Sequence, residues 1–398
     1  MIIRMKDNKY FKHYCTGCGL CQSVVGTKMV RTDKGFLEPN EITKKDSEFM
    51  KNICMVSGAY WKSSSDFKVW GNVVEQPFYA YSSDPIVRKK ASSGGVVSEI
   101  AIYLLENHLV DGILETRVSS NSVIKTQVVI NCSKEEILNC LGSRYTISSP
   151  LSDVHGLLES GKKYAFIGKP CDVIAVRNWK NMDADINDRI PYLISFMCAG
   201  MPSRQAEEKL LSQLNTSENE CDELVYRGNG WPGYTVARSK NEETGRMTYA
   251  DSWGKILGRD VATACRFCYD GIGEAADIAC GDGWYVEDGK PDFKEHDGRN
   301  IVFVRTTTGK RIIDAMLNSK AITCIPSEKP HEELIQIQNY QFTRRTTMRE
   351  KLLALKISGR TIPNYSKTMM RQLGKEASLK SRIRIFMGTI KRLHEGKI

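Results

Sequence analysis

Three cysteines in successive two-residue steps, Cys15, Cys18 and Cys21 in the run CTGCGLC, constrain this chain more than any other feature. Such steps let thiolates converge on one metal centre from a tight loop. A third step is the iron–sulfur spacing of bacterial ferredoxins rather than the usual zinc-finger pair. The ferredoxin pattern puts a fourth cysteine after three more residues, followed by proline, but Val25 and Gly26 stand there. In two-cluster ferredoxins that cysteine serves the other cluster, so its loss does not forbid a centre here. The next cysteine, Cys54, followed by Met55, is the expected fourth ligand. A centre with three protein ligands, or zinc on the same four thiols, is the alternative.

A second pair, Cys265 and Cys268 in CRFC, needs two ligands from elsewhere. Alone, this spacing serves zinc sites and redox dithiols as well as clusters. Cys171 and Cys198 each follow a short apolar run, which predicts both beyond the ends of buried strands on one edge of a sheet. Cys280 competes as a ligand, or is a small buried residue. The buried-thiol reading also covers Cys132, Cys140, Cys221 and Cys324. The start, MIIRMKDNKYF, lacks the apolar core of a signal peptide, and no apolar run approaches the ~20 residues that span a bilayer. A cytoplasmic, reducing location is expected, where 13 cysteines serve as metal ligands or buried thiols rather than disulfides. The six histidines do not cluster, which argues against a histidine metal site or a triad.

Runs of apolar residues alternate with helical spacing through the middle of the chain. YAFIG and PYLISFM read as buried strands, the segments after Ser92 and Ser203 as helices, and the stretch from Glu223 to Thr248 as short strands. A helix is expected to end near Gly142, and DIACGDGWYVEDG reads as a glycine-rich segment. The expected fold is an α/β core with a small N-terminal ferredoxin-like iron–sulfur module and a helical C-terminal tail. Residues 1–62 would form the module, 63–76 a polar linker, 77–328 the catalytic domain and 329–398 the helical region. The net charge of +10 is concentrated at the end: from Ser366 to Ile398 nine basic residues stand against two acidic ones. There Leu379, Ile383, Phe386, Ile390 and Leu393 form an apolar helix stripe, able to dock on its own domain, a partner or an anionic membrane surface. No aromatic platform accompanies the charge, so nucleic acid is not expected as a partner.

Taken in order, CTGCGLC, SSGG, VDGI, GSRY, IGKPCDVIAVR, FMCAG, YRGNGWPG, CRFCYD and ADIACGDGW resemble the coenzyme F420 hydrogenase/dehydrogenase beta-subunit family over roughly residues 10 to 365. The segment TRRTTMREKLLALKISGRTIPNY resembles a bacterial branch often linked with polysaccharide biosynthesis. The resemblance implies an oxidoreductase with FAD and one or two 4Fe-4S clusters. It carries the inner cluster onto Cys171, Cys198, Cys265 and Cys268 and leaves Cys280 out. It implies a donor such as ferredoxin or a deazaflavin, and a small-molecule or sugar-derived acceptor. A coenzyme F420 reductase or dehydrogenase subunit is the alternative. A zinc-stapled scaffold protein with the basic tail as its arm is the rival of another class.

No G-x-G-x-x-G follows a strand, so the Rossmann mode of flavin binding has no support. The run Ser92, Ser93, Gly94 and Gly95, with Lys89 and Lys90 before it, offers backbone amides and positive charge to a pyrophosphate, or simply caps a helix. Gly142, Ser143, Arg144 and Tyr145 form a polar loop able to bind phosphate and cover a ring, or a surface turn. Trp231 and Trp284 would wall a planar cofactor or pack in the core. Asp282 would balance a nearby charge or hydrogen-bond the flavin, and Asp172 and Arg177 would stand behind the cluster sulfurs.

Overall fold

A computed structural model describes residues 13–61, 66–326, 330–396 and 398. Its frame is an eight-stranded sheet of β1 (Phe78–Ser82), β2 (Gly112–Ser119), β3 (Ser122–Asn131), β4 (Tyr164–Gly168), β5 (Tyr192–Phe196), β6 (Ile278–Asp282), β7 (Asn300–Val304) and β8 (Ile322–Ile325). The strand order is β8-β1-β7-β6-β5-β4-β2-β3. The central four, β6, β5, β4 and β2, run parallel, and the outer pairings on both sides are antiparallel.

Every residue of β4 and β7 is buried. Their apolar runs follow from a sheet covered on both faces. Successive side chains point to opposite sides: Tyr164 and Phe166 join one core cluster, Ala165 and Ile167 the other. The second cluster is closed by α1 (Val96–Glu106) and the helix Thr307–Asn318. The first is closed by α2 (Pro170–Lys180) and the N-terminal segment. Burying a side chain the size of Phe166 stabilises the fold by about 1.5–3 kcal/mol. Beside the sheet, α3 (Arg204–Gln213) starts at Ser203, whose hydroxyl accepts from the Ala206 amide, as its sequence predicts.

Several expectations change here. The N-terminal segment is a helix (Leu20–Val25), a two-stranded ribbon and a helix (Lys44–Ile53). Its Leu20, Ile42, Met50 and Ile53 enter the same core cluster as Phe166 and Val173, so it is an annex of the α/β body. The expected linker, from residue 66 onward, is packed: Phe67, Val69 and Trp70 are buried. The stretch is polar on average, but those apolar side chains turn inward, and Trp70 meets Phe303 and Phe342. Residues 1–12 of the expected module and 62–65 of the expected linker lie outside the described residues. Neither Ser92 nor Ser93 caps α1. Gly95 does, at φ 79°, a left-handed conformation that costs glycine little. The helix expected to end near Gly142 is short, Lys134–Leu138. The glycine-rich DIACGDG is β6 itself.

The C-terminal region packs as α4 (Asn339–Thr346), α5 (Met348–Ile357) and α6 (Leu379–His394), with a further helix Lys367–Gly374 between the last two. Arg345 of α4 is fully buried and bonds both Glu274 oxygens, at 2.9 and 3.2 Å, and the Tyr269 hydroxyl at 2.7 Å. No helix among the described residues is long and apolar enough to cross a membrane.

Candidate functional site

A cavity of about 660 Å3 opens at the carboxyl ends of the parallel strands, touching Gly168 of β4, Phe196 of β5 and Asp282 of β6. Ligands of open α/β sheets collect in this position, and the volume is that of a cofactor pocket. Ser92, Ser93 and Gly95 line it, as do Gly142, Ser143, Arg144 and Tyr145. The structure therefore brings the two predicted loops to one space. Gly94 does not line it. A Cβ there would meet the Asn300 amide at 2.7 Å and the Ala80 carbonyl at 2.8 Å, so this glycine serves backbone packing. Lys89 and Lys90, at the end of the short helix Pro85–Lys90, are exposed and also absent from the wall. The cations that do line it are Arg144, Lys169 and Arg227.

Two buried polar atoms on this wall have no partner among the described residues, Ser92 Oγ and Gln341 Oε1. Burying such atoms costs free energy unless something bonds them, so they fit a ligand with polar edges. Arg227 grips Asp282 by two bonds of 3.0 Å each, and the indole N–H of Trp231 donates to the same carboxylate at 3.2 Å. Trp231 stacks on Trp284 with ring centroids 4.7 Å apart, and Trp284 faces the cavity. The two tryptophans thus divide the roles expected of them: one is core, the other is wall. Arg144 donates back to the Leu141 and Ser143 carbonyls and so braces its own loop.

The first cysteine set surrounds a second, small cavity: Cys15, Cys18, Cys21 and Cys54 all line it, with Ala175 of α2. Burial pushes the Cys21 thiol up to about 11 and Cys54 up to about 12, and raises Cys15 and Cys18 well above the ordinary thiol value. Cys54 caps the helix Lys44–Ile53, and the Ile53 carbonyl accepts from Asn178 of α2 at 3.1 Å. Cys15 receives the Gly17 amide at 3.3 Å.

The second set is built from three parts of the chain. Cys171 lies in the first turn of α2, Cys198 just past β5, and Cys265 and Cys268 at and beyond the short helix Thr263–Arg266. After burial, the charges that most perturb these thiols are largely one another and Asp172, Lys169 and Arg344. Cys198 rises to about 11 and Cys268 to about 12. The Met201 amide donates to Cys265 Sγ at 3.3 Å. Arg344 of α4 bonds the carbonyls of Cys198, Ala199 and Cys265. Of this set Cys198 also lines the large cavity. Cys280 is buried within β6, and burial alone raises its thiol to about 12, with no cysteine neighbour among the causes.

Helix α2 joins the two sets. Cys171 belongs to the second and Ala175 touches the first, one helical turn or about 6 Å along the axis. Asp172 raises both Cys18 and Cys171. Lys169, at the head of α2, bonds Asp172 at 2.8 Å and the Ser148 hydroxyl at 2.6 Å. Burial pulls its ammonium down, but Asp172 and Cys171 outweigh this and hold it above its ordinary value. Arg177 is not behind the sulfurs; it pairs with Asp277 at 2.8 Å and bonds the Ala275 carbonyl. Cys132 and Cys324 are exposed, while Cys140 and Cys221 are buried as expected. Lys169, Gln341 and Arg344 escaped the sequence reading. The first lies inside IGKPCDVIAVR and the last inside TRRTTMRE, but single basic residues there carry no spacing that marks a site.

The family model for the amino-terminal part of the coenzyme F420 hydrogenase/dehydrogenase beta subunit matches residues 77–155, and the model for its carboxyl-terminal part matches residues 161–330. The chain belongs to this family. It is 26% identical to coenzyme F420 hydrogenase subunit beta of Methanococcus voltae, over 65% of this chain and 87% of that protein. It is 24% identical to a chain of the F(420)H(2) dehydrogenase of Methanosarcina mazei, over 81% and 87% of the respective chains. Against a coenzyme F420-dependent sulfite reductase of Methanocaldococcus jannaschii the identity is 22%, over 79% of this chain and 48% of that protein. The fold is similar to a chain of the F420-reducing [NiFe] hydrogenase complex from Methanosarcina barkeri, with TM-score 0.59 at 20% identity, covering 76% of this chain and all of that one.

Proposed function

We propose that this protein is an iron–sulfur flavoprotein oxidoreductase that moves electrons between a reduced carrier and an organic acceptor. One observation carries the reading: Cys198 belongs to the second cysteine set and also lines the cavity walled by both loops, Ser92–Gly95 and Gly142–Tyr145. The relatives named as F420-dependent hydrogenase, dehydrogenase and sulfite reductase proteins support the reaction class.

The donor sets suit the groups by their chemistry, although among the described residues no three such side chains are already gathered to hold a metal ion. Two quartets of enclosed thiols, with no disulfide, are soft ligands; burial holds their protons until a metal displaces them, so that loading the site releases protons to solvent. Cys15, Cys18, Cys21 and Cys54 would hold one 4Fe-4S cluster, and Cys171, Cys198, Cys265 and Cys268 the other. The cavity fits FAD by its volume, its aromatic wall and its two orphaned polar atoms. Bound flavin supplies two-electron exchange with a hydride donor or acceptor and single-electron exchange with clusters.

The chain's own groups do the rest. Ser92 and Gln341 hydrogen-bond the ligand's polar edge. The Arg227–Asp282 clamp keeps Trp284 flat against it. Lys169 holds a fixed positive charge at the cavity wall, beside Cys171 and Cys198, which favours negative charge arriving there. Arg344, behind the wall, adds a second positive charge beside Cys198 and Cys265 through the carbonyls it binds. The donor would be a ferredoxin or a reduced deazaflavin such as coenzyme F420, and the acceptor a small molecule or a sugar-derived precursor.

Anaerobic purification tests this directly. The expected product is brown, with about eight iron atoms and as many acid-labile sulfides per chain, and releases FAD on denaturation. Colourless protein with stoichiometric zinc and no flavin overturns the proposal.

A further inference from the structure

The last two long helices carry an apolar surface that the redox site does not use. On α6, Phe386, Ile390 and Leu393 pack in a cluster with Ala354 and Leu355 of α5. The rest of the predicted stripe, Leu379 and Ile383, turns outward, and Met387, which was not part of it, lies beside them. Leu379 is 70% exposed, Ile383 56% and Met387 58%, at successive steps of four residues and so along one line of the helix. On α5, Ile357 is 64% and Leu353 48% exposed, again four apart. Leu379, Ile357 and Met387 are the three most exposed large apolar side chains among the described residues. Residues that stand so far proud of the surface do not line a groove.

Basic residues share the same exposed faces: Lys380 and Arg384 follow Leu379 and Ile383 on α6, and Arg349 and Lys356 lie on α5. Arg382 is turned away from this set and pairs with Glu350, which ties the two helices together. The helices therefore present protruding apolar side chains among exposed cations. This pattern complements the headgroup layer of an anionic bilayer, into which apolar side chains dip while lysine and arginine remain at the phosphates. The absence of any membrane-crossing helix among the described residues is compatible with a chain that lies on a bilayer.

We propose that α5 and α6 form a peripheral docking surface for an anionic lipid membrane. The excess of nine basic over two acidic residues from Ser366 onward favours a negatively charged surface over a neutral one. The full-length chain, purified anaerobically, is sedimented with vesicles of phosphatidylcholine alone and of phosphatidylcholine mixed with phosphatidylglycerol. Partitioning is expected to be at least about tenfold stronger on the anionic vesicles and to weaken with salt. The double variants Ile383→Asn with Met387→Asn, and Lys380→Gln with Arg384→Gln, are each expected to lose most of that binding. Because these positions are exposed, both should keep the parent's melting temperature and iron content. Failure of the parent to sediment with anionic vesicles overturns the proposal, as does undiminished binding by both variants. So does a parent dimer in analytical ultracentrifugation that Ile383→Asn with Met387→Asn converts to monomer, since a second copy would then be the occupant.

Discussion

Single residues decide whether the cysteine sets are ligands or ordinary buried thiols. A buried thiol replaced by serine loses a little packing, whereas a lost ligand releases metal whose binding energy is coupled to folding. Cys268→Ser is therefore expected to cut iron content to about half and to lower the melting temperature, while Cys132→Ser, at an exposed position, changes neither. Metal analysis with thermal denaturation checks it, and equal iron in the two variants removes Cys268 from the ligand set. Gly94 calls for the opposite expectation from the one its place in SSGG suggests. Gly94→Ala drives a Cβ into the Asn300 amide and the Ala80 carbonyl. It should cost about 1–3 kcal/mol of stability by denaturant titration, with flavin retained in the folded protein. Glu207 contributes a pH dependence from just behind the cavity wall, where it bonds Thr146. It is buried, accepts from the Tyr226 hydroxyl at 2.8 Å, and burial pushes its carboxyl from 4.5 up to about 8. The native state keeps this proton over a range in which the unfolded chain has lost it. Stability is thus highest below 4.5 on this account and falls as pH rises towards 8, by at most about 1.4 kcal/mol per unit. Glu207→Gln should flatten that slope in urea melts at several pH values; an unchanged slope assigns it to another group.

At the scale of elements, the parallel strands and the residues just past their ends were the most legible. YAFIG is an apolar run, and PYLISFM one broken only by Ser195, because helices and the N-terminal segment cover both faces of β4 and β5. That alone placed Cys171 and Cys198 beyond strand ends. The start of α1 departs from the sequence reading because serine before an apolar helix is the usual cap, whereas here Gly95 takes that position and Ser92, its Oγ without a partner among the described residues, falls in the cavity lining. β6 was hidden by Gly281, which packs under Met197, where a side chain would collide with its sulfur at 2.6 Å. Such close approach is a tertiary fact with no local signature. The same is true of the tie between α4 and the core. Arg345 reads as one of several basic residues in TRRTTMRE, yet its side chain is fully buried against Glu274, Asp270 and Tyr269. Replacing it with methionine leaves Glu274 without its ion-pair partner and Asp270 with only Arg305 as a neighbouring cation among the described residues. A loss of about 3–5 kcal/mol is expected by chemical denaturation, and a loss below about 1 kcal/mol, typical of surface pairs, would mean the carboxylates are satisfied without it.

For the molecule as a whole, the question is whether the N-terminal segment folds as its own unit. One core cluster runs from Leu20, Ile53 and Trp61 through Phe166 and Phe303 to Met348 and Leu373. The first cysteine set lies inside that continuity: Cys54 ends a helix bonded to α2, and Ala175 of α2 lines the same small cavity as the four thiols. A metal centre there braces the annex and the sheet-covering helix together, and α2 also begins at the second set. Unfolding either centre must therefore loosen the packing that supports the other, which is the condition for a single cooperative transition. Scanning calorimetry of the anaerobic protein is expected to show one endotherm. Chelation of iron under reducing conditions should lower its midpoint without splitting it, because both sets feed one core. Two endotherms, only the lower of which responds to the chelator, would instead describe a separable iron–sulfur module attached to an independently stable α/β domain.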